Sequence, residues 1–461
     1  MWLRDSASQI YSYLPLLQPS SDPDSLASLW RGVINSHSRY ITISPYCHSF
    51  QPPVESGLKP TSNLAQNNPQ PPFNSLQVYD CKWELDSLAS FLQISSAYYS
   101  ATGDLEFFSR YRWVEAVAEA VKAAGDMRRG TYDTVGRVQP SAYTFTGWTN
   151  RGSETLTNNG LGNPTRANGM VRTAFRPSDD ACIFQFLTPA NMMWAKYLEE
   201  ASIIMEKLAR RSNPGQGSRN SYLTLNDSDP TITPADAIPS LNELVVEMRA
   251  QAAGIRRGID RDAVVWHRDF GHIFAYEVDG FGGVNLMDDA NVPSLLAMPL
   301  WNYSRSSFFD LLTNKVGNGV SSATVKDASE IEAESRAAEA DRDDQRDYDL
   351  IYRNTRSFIL SEANPYFATG PVISAVGGAH LGPGMAWPMA AIVAALTAYE
   401  PAVGPLLSRH DRETTDMRPD NDYDSMDVSD QEEDYRPVAT ELDKAMVWMG
   451  QRALWRADPE D

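Results

Sequence analysis

Five short segments of this chain place carboxylates beside aromatic or arginine side chains in turn-like surroundings. They are residues 2–6 (WLRDS), 82–86 (KWELD), 176–180 (RPSDD), 276–282 (YEVDGFG) and 287–291 (MDDAN). Aromatic rings stack on the apolar faces of sugars, and carboxylates and arginines bind sugar hydroxyls. Two carboxylates in one pocket can also divide general acid and general base catalysis. The residue types are therefore typical of a glycosidase, although a single cluster is more often a helix cap or a solvated turn.

Two of these segments carry a more specific geometric prediction. Glu84 and Asp86 are two positions apart, and such residues point to nearly opposite sides of a helix. Both reach one pocket only if they precede the helix, which would then begin near Asp86. Asp279 is flanked by glycines that let a substrate approach the backbone closely. The neighbouring Tyr276 and Phe281 lower the local dielectric, which is the setting that a general acid needs at neutral pH.

Other common catalytic systems are absent from the sequence. It contains no GxSxG, GxxxxGK[ST] or HExxH motif, no GxGxxG after a strand, and only six histidines. His267 and His272 have a poor spacing for metal ligands on one helix face. The acidic run 420–424 resembles the start of a calcium loop, but it lacks the required glycine, and Gln431 stands where the bidentate glutamate belongs. We therefore predict no metal and no cofactor.

Composition limits the classes of partner. The chain has 461 residues, a net charge of −20 and a sequence pI of about 4.7. Its field disfavours binding to nucleic acid or to an anionic membrane surface. The acidic tract 411–435 is predicted to be a disordered, solvated loop, and the longest apolar stretch, around 386–398, has the length of a core helix. Cys47 and Cys81 could pair, which the sequence does not decide, and Cys182 is left over.

The elements that must position the clusters are mostly helices. Apolar periodicity predicts helices over 83–98, 113–125, 190–211, 341–361 and 438–456. The clearest helix begins at Ser240, which forms a capping box with Glu243. Strand signals are few, the best being 41–44 and 273–278. The pattern predicts an all-α single domain with long polar loops, for which an antiparallel helical barrel is a candidate architecture.

Several long segments carry a resemblance to a known family. They are residues 1–14 (MWLRDSASQIYSYL), 83–104, 160–193, 276–299 and 361–397. In this order they resemble glycoside hydrolase family 125, the metal-independent exo-α-1,6-mannosidases, and especially its fungal meiotically up-regulated members. The resemblance implies an (α/α)6 barrel over 1–400, followed by a divergent tail over 401–461. It also implies a monomer that removes terminal α-1,6-linked mannose from mannan or N-glycan-type oligosaccharides, with inversion and without a metal.

Carried onto the matching positions, the resemblance implies that Asp279 is the general acid, with Asp288 or Asp289 as alternatives. The residues that would line the sugar site are Arg4, Asp5, Trp83, Glu84, Asp86, Arg176, Asp179, Asp180, Glu277, Asp288, Asp289, Asn291, His380 and Trp387. His380 has an alternative role in a structural hydrogen bond within a glycine-rich turn. Trp387 has an alternative role in core packing.

One departure from the family concerns the general base. The family carries its base in a C-terminal His-Glu-Ser-Phe segment, and this sequence contains no His-Glu pair. The base is therefore unknown, and two hypotheses remain: an active mannosidase, or a mannose-binding pseudoenzyme that retains the pocket. A minor hypothesis gives the acidic tail a role in binding a basic partner, and another treats the chain as faulty or incomplete.

A second departure concerns the start of the chain and its cellular location. The family continues upstream of the segment that begins here at Met1, so the chain is expected to be truncated at its N-terminus. The resemblance implies the secretory pathway or the exterior, although no signal peptide begins this chain. Sequons at Asn226 and Asn302 are compatible with that location.

Overall fold

The computed structural model describes residues 1–211, 240–303 and 348–398, and helices dominate them. The helices are α1 (Leu3–Tyr11), α2 (Leu26–Ile43), α3 (Leu85–Thr102), α4 (Leu105–Arg110), α5 (Trp113–Asp126), α6 (Thr188–Arg211), α7 (Leu241–Gly258), α8 (Tyr348–Ile359) and α9 (Pro388–Leu396). Short helical turns lie at Leu14–Leu16, Val54–Ser56, Gly152–Glu154, Thr157–Gly160, Ile259–Ala263 and Met298–Trp301. None of the described helices is long and apolar enough to cross a membrane. The architecture agrees with the prediction of a mostly helical fold.

Helix α3 lies at the centre of the packing, because most of its side chains are apolar or small. Residues 85–98 are all buried. A helix without a polar face buries every side, and α3 packs against α1, α2 and α6. Helix α6 in turn packs against α7. The N-terminus of α3 therefore lies inside the molecule, where it can position side chains away from bulk water.

Two predictions about local structure have different outcomes, one at the start of α7 and one at the end of α2. The capping box at Ser240 is confirmed: its hydroxyl accepts from the Glu243 N–H, and its own N–H donates to the Glu243 carboxylate. The predicted strand over 41–44 is wrong, because Ile41 lies in α2, which ends at Ile43. The run Ile-Thr-Ile favours a strand locally. Ile41 nevertheless continues the buried face that begins at Ala27 and includes Trp30, so tertiary packing keeps the run helical.

The strands are short and pair as antiparallel ribbons. They are β1 (Ser49–Phe50), β2 (Gln66–Gln70), β3 (Val78–Asp80), β4 (Thr144–Trp148), β5 (Phe186–Leu187), β6 (Val264–His267), β7 (Gly271–Phe274), β8 (Glu277–Val278), β9 (Val284–Asn285), β10 (Phe367–Ala368) and β11 (Ala375–Val376). The pairs are β1 with β3, β2 with β4, β6 with β7 and β10 with β11, while β8 lies between β5 and β9.

The predicted strand over 273–278 is two strands in the structure. β7 pairs with β6, whereas β8 pairs with β5 and β9. Between them, the Ala275 N–H donates to the Ala263 carbonyl and the Tyr276 N–H to the Asn285 carbonyl. The chain therefore changes partners at these two residues, which an apolar run in the sequence does not reveal.

A disulfide joins Cys47 to Cys81 and closes one end of the β1–β3 ribbon. The sequence left this pairing open. Cys182 is a free, buried thiol. The predicted helix 438–456 and the acidic tract 411–435, both within the tail 401–461, lie outside the described residues.

Candidate active site

Arg4 joins the first helix to two buried carboxylates. Its Nη1 donates to Glu84 Oε2 at 2.9 Å and to Asp86 Oδ2 at 3.0 Å. Glu84 has an extended backbone just before α3, which begins at Leu85. Both carboxylates therefore reach one cation, as the predicted helix start requires. Asp5 stands at the exposed edge, with its carboxylate 3.4 Å from Arg4 Nη2.

The two buried carboxylates are incompletely satisfied. Burial raises the pKa of both Glu84 and Asp86, while the neighbouring Arg4 and His48 limit the increase. Glu84 Oε1 and Asp86 Oδ1 are buried, and neither accepts a hydrogen bond from any described residue. Buried acceptors without a partner are costly, so both oxygens have hydrogen-bonding capacity that no described residue uses.

Asp179 is held by two residues that the site prediction did not include. His48 Nε2 lies 3.5 Å from Asp179 Oδ1, and Lys82 Nζ lies 3.1 Å from the same oxygen. The ammonium of Lys82 also donates to the Asp179 carbonyl at 3.2 Å. Burial alone would raise the pKa of Asp179, but His48 and Lys82 outweigh that effect and hold the pKa well below its usual range. Asp179 is thus a carboxylate at any moderate pH.

His48, Glu84 and Asp179 also have the donor set of a small metal site. One ligand atom from each lies within 4.8 Å of the others. However, the Lys82 N–H donates to His48 Nδ1 at 3.1 Å, and the Lys82 ammonium already binds Asp179. A lysine therefore supplies the positive charge that a metal would bring, and these residues do not fit a metal centre.

Arg176 and Glu277 form a buried ion pair beside this group. Arg176 Nε donates to Glu277 Oε1 at 2.6 Å, and the guanidinium lies 5.6 Å from the ring centroid of Tyr276. Glu277 Oε2 accepts from Asn285 Nδ2 at 3.0 Å. Burial opposes the charge on Arg176, but Glu277 outweighs burial and raises the pKa of the guanidinium. Arg176 Nη2 is left as a buried donor without a partner among the described residues.

Asp180 and Asp289 add two more buried carboxylates near Arg176. Asp180 Oδ2 lies 3.6 Å from His380 Nδ1, beyond hydrogen-bond distance. Asp289 Oδ1 accepts from both the backbone and the side-chain nitrogen of Asn291 at 2.8 Å. Burial raises the pKa of Asp289, with Arg176 opposing and Asp180 adding to the increase. Oδ2 of both aspartates is buried and accepts no hydrogen bond from the described residues.

Three residues predicted to line the sugar site have surroundings typical of a structural role, namely Asp288, Trp83 and Trp387. Asp288 is fully buried and accepts the N–H groups of Leu295 and Leu296, both at 2.9 Å. It stabilises the turn after Asn291, because each of its two buried oxygens accepts one of these backbone N–H groups. Trp83 is 1% exposed, and its indole N–H donates to the Arg172 carbonyl, so it supports the site from the core.

Trp387 is also placed by packing. It is half-buried against the core and immediately precedes α9. Its backbone N–H donates to the Val376 carbonyl, and this hydrogen bond joins the start of α9 to β11. This surrounding matches the core-packing alternative for Trp387.

Asp279 lies in the turn between β8 and β9. Its Oδ1 accepts the N–H groups of Phe281 at 2.7 Å and Gly283 at 2.8 Å. The second oxygen, Oδ2, accepts no hydrogen bond from the described residues, and the residue is only partly buried. A Cβ at residue 283 would overlap Oδ2, so the glycine keeps this oxygen accessible. No described hydrogen bond or ion pair joins Asp279 to Arg4 or Glu84.

The cluster as a whole has the chemistry of a polyol site. Its buried polar atoms without described partners are Glu84 Oε1, Asp86 Oδ1, Arg176 Nη2, Asp180 Oδ2, Asp289 Oδ2 and the Tyr276 hydroxyl. Five are acceptors or hydroxyls and one is a charged donor. Native proteins leave few such groups unpaired, and sugar hydroxyls supply donors and acceptors at this density. Two residues of this group, His48 and Lys82, were not among the predicted site residues. Each directly follows a cysteine of the disulfide, and Lys82 also opens the 82–86 cluster.

The family model for metal-independent alpha-mannosidase (GH125) matches residues 1–410. The chain belongs to glycoside hydrolase family 125. This finding confirms the family that the sequence motifs indicated.

Two individual proteins extend this finding. The meiotically up-regulated gene 157 protein of Schizosaccharomyces pombe is 34% identical over 400 residues, which are 86% of this chain. The chain spans 64% of the length of that relative. A solved metal-independent alpha mannosidase from Streptococcus pneumoniae, in a non-productive complex with alpha-1,6-mannobiose, is 25% identical with a TM-score of 0.59. That match covers 87% of this chain and 73% of the other.

Proposed function

We propose that this protein is an inverting exo-α-1,6-mannosidase that needs no metal and acts on mannan or N-glycan-type oligosaccharides. The observation that carries the proposal is the set of buried, unpaired polar atoms on Glu84, Asp86, Arg176, Asp180 and Asp289. A terminal mannose offers hydroxyl groups that can donate to the carboxylates and accept from Arg176. Membership of an α-mannosidase family supports this choice of sugar, and the mannobiose complex of the related structure supports the α-1,6 linkage.

Asp279 is the proposed general acid. Its Oδ1 is occupied by two backbone N–H groups, which orients the carboxyl and leaves Oδ2 to carry a proton toward the leaving oxygen. The glycines around it let the scissile bond approach. Inversion also requires a base about 6.5–9.5 Å away, with a water between the two groups. We assign no residue to that role.

The absence of the family's His-Glu segment favours one alternative. In that alternative the protein binds mannose in the same pocket but hydrolyses nothing, because no base activates the water. Loss of a positioned base slows such reactions by about two to four orders of magnitude. The proposal extends to an (α/α)6 barrel that acts as a monomer in the secretory pathway or outside the cell. The Cys47–Cys81 disulfide is compatible with an oxidising compartment.

The test uses the purified protein, α-1,6-mannobiose and a chelator, with the anomeric protons followed by NMR. We expect β-mannose to appear first, which would establish metal-independent hydrolysis with inversion. Early α-mannose would contradict inversion. α-1,2- and α-1,3-mannobiose serve as linkage controls and should react at least tenfold more slowly. Mannobiose binding by calorimetry without release of mannose would favour the pseudoenzyme.

A further inference from the structure

The disulfide lies directly beside the sugar site. Cys47 precedes β1 and Cys81 follows β3, so their bond closes the end of this two-stranded ribbon. Both cysteines are buried. The next residue after Cys47 is His48, and the next after Cys81 is Lys82. The bond therefore ties together the two residues that bind Asp179.

The contacts of these two residues depend on their relative position. The Lys82 N–H donates to His48 Nδ1 at 3.1 Å, and both side chains converge on Asp179 Oδ1. Asp179 has a positive φ of 68°, a conformation that residues with a side chain rarely adopt. Lys82 holds that conformation through the Asp179 carbonyl as well as its carboxylate.

The end of the β1–β3 ribbon that the disulfide closes also positions Arg4 and Glu84. The Leu3 N–H donates to the His48 carbonyl at 3.0 Å, which fixes the start of α1 and so the position of Arg4. On the other strand, Glu84 follows Lys82 by two residues and immediately precedes α3. The separation of the two strands at the disulfide therefore sets the separation of Arg4 from Glu84.

Strand pairing alone is a weak constraint on this geometry. The β1–β3 ladder contains two register pairs, Ser49 with Asp80 and Phe50 with Val78, and a bulge interrupts it between them. Isolated two-stranded ribbons are marginal even when regular. The Ser49 hydroxyl donates to the Asp80 carbonyl at 3.1 Å and accepts from the Asp80 N–H at 3.0 Å, which adds two side-chain hydrogen bonds. The covalent bond is the strong connection at this end.

We propose that the Cys47–Cys81 disulfide is a positioning element of the sugar site, which holds His48 and Lys82 against Asp179 and spaces Arg4 from Glu84. This inference rests on the proposed function, because the site it positions is the mannose pocket. An oxidising environment then creates the competent pocket, and reduction disorders it.

The test compares Cys47→Ala/Cys81→Ala with Ile204→Ala. The control deletes buried side-chain volume on α6, which destabilises a fold without touching the ribbon. Both variants are assayed with α-1,6-mannobiose well below their melting temperatures. We expect kcat/KM of the double variant to fall roughly tenfold or more, mainly through KM, because small displacements of binding groups weaken a site strongly. The control should keep its kcat/KM. A folded double variant with unchanged kcat/KM and KM would overturn the proposal.

A second measurement does not depend on hydrolysis. With 15N-histidine labelling, the His48 ring signals report the N–H···Nδ1 bond from Lys82, and the His48→Gln variant assigns them. We expect these signals to shift when the disulfide is removed and to return when reduced wild-type protein is reoxidised. Unchanged His48 signals would refute the proposal even if wild-type protein releases no mannose. If the double variant does not fold, graded reduction of wild-type protein, with thiols counted by alkylation, provides the same comparison.

Discussion

Arg4 Nη1 lies 2.9 Å from Glu84 Oε2, although 80 positions separate the two residues in the chain. The same nitrogen lies 3.0 Å from Asp86 Oδ2. One guanidinium therefore compensates two carboxylates that are both fully buried, while its remaining faces keep only slight exposure. This relationship couples the stability of the fold to the integrity of the proposed sugar site.

Replacing Arg4 with methionine should strongly destabilise the protein. The variant leaves Glu84 and Asp86 buried without their cation, and breaking a buried ion pair typically costs about 3 kcal/mol or more. We expect the free energy of unfolding at pH 7, measured by urea denaturation, to fall by that amount. Arg112→Met is the matched control, because the Arg112–Glu115 pair is solvent-accessible, with an exposed Arg112 and a half-buried Glu115, and should contribute less than about 1 kcal/mol. Equal losses in the two variants would contradict the expectation.

Replacing Asp279 with asparagine should remove acid catalysis. We expect kcat on α-1,6-mannobiose to fall about 10²–10⁴-fold, the usual contribution of a general acid. A dinitrophenyl α-mannoside has a leaving group that needs no proton, so on this substrate the variant should approach the wild-type rate. Asp269→Asn is the control, since Asp269 is an exposed residue paired with Arg268. An equal loss of rate on both substrates would exclude Asp279 as the acid.

Adding a methyl group at Gly378 should disturb Asp289. A Cβ at this position would lie 2.6 Å from Asp289 Oδ2 and 2.8 Å from its Cγ, so the carboxylate must move. We expect Gly378→Ala to raise KM for mannobiose roughly tenfold or more, because Asp289 is a proposed sugar ligand. Gly32→Ala is the matched control, since a Cβ there meets no atom within 4 Å. Unchanged KM in Gly378→Ala would remove Asp289 from the site.

The buried carboxyl of Asp288 should make the free energy of unfolding fall as pH rises. Burial raises its pKa to about 7, although backbone N–H groups, chiefly those of Leu296 and Leu295, favour the charged form. An unfolded aspartate has a pKa of about 3.9, so between these values the folded state binds more protons than the unfolded state. The contribution of Asp288 to stability is therefore present below the unfolded pKa and is lost as pH rises through about 7.

Urea denaturation of wild-type protein and Asp288→Asn at pH 5, 6 and 7 measures this dependence. The slope of the unfolding free energy against pH should differ by about 1 kcal/mol per pH unit, with the wild type losing stability faster. The exposed Asp22→Asn serves as a control and should leave the slope unchanged. Parallel curves for wild type and Asp288→Asn would contradict a raised pKa.

Local patterns in the sequence predicted much of the helical framework. The capping box at Ser240 and the start of α3 near Asp86 follow from interactions within a few residues, so they are readable without a structure. The motif segments also indicated the family, and they contain Arg4, Glu84, Arg176 and Asp289. Local preference failed at Ile41, where distant packing opposed it, and it did not reveal the change of strand partners between β7 and β8.

The family, the helical class and the residue types of the proposed sugar site were all predictable without coordinates. Which of these residues lie in contact follows from the fold. The fold leaves the Oδ2 atoms of Asp180 and Asp289 without a hydrogen bond from the described residues, whereas both oxygens of Asp288 stabilise a turn. It also joined Cys47 to Cys81 and brought His48 and Lys82 to Asp179. These ion pairs and this disulfide act between residues far apart in the chain, so their distances depend on how the helices and ribbons pack.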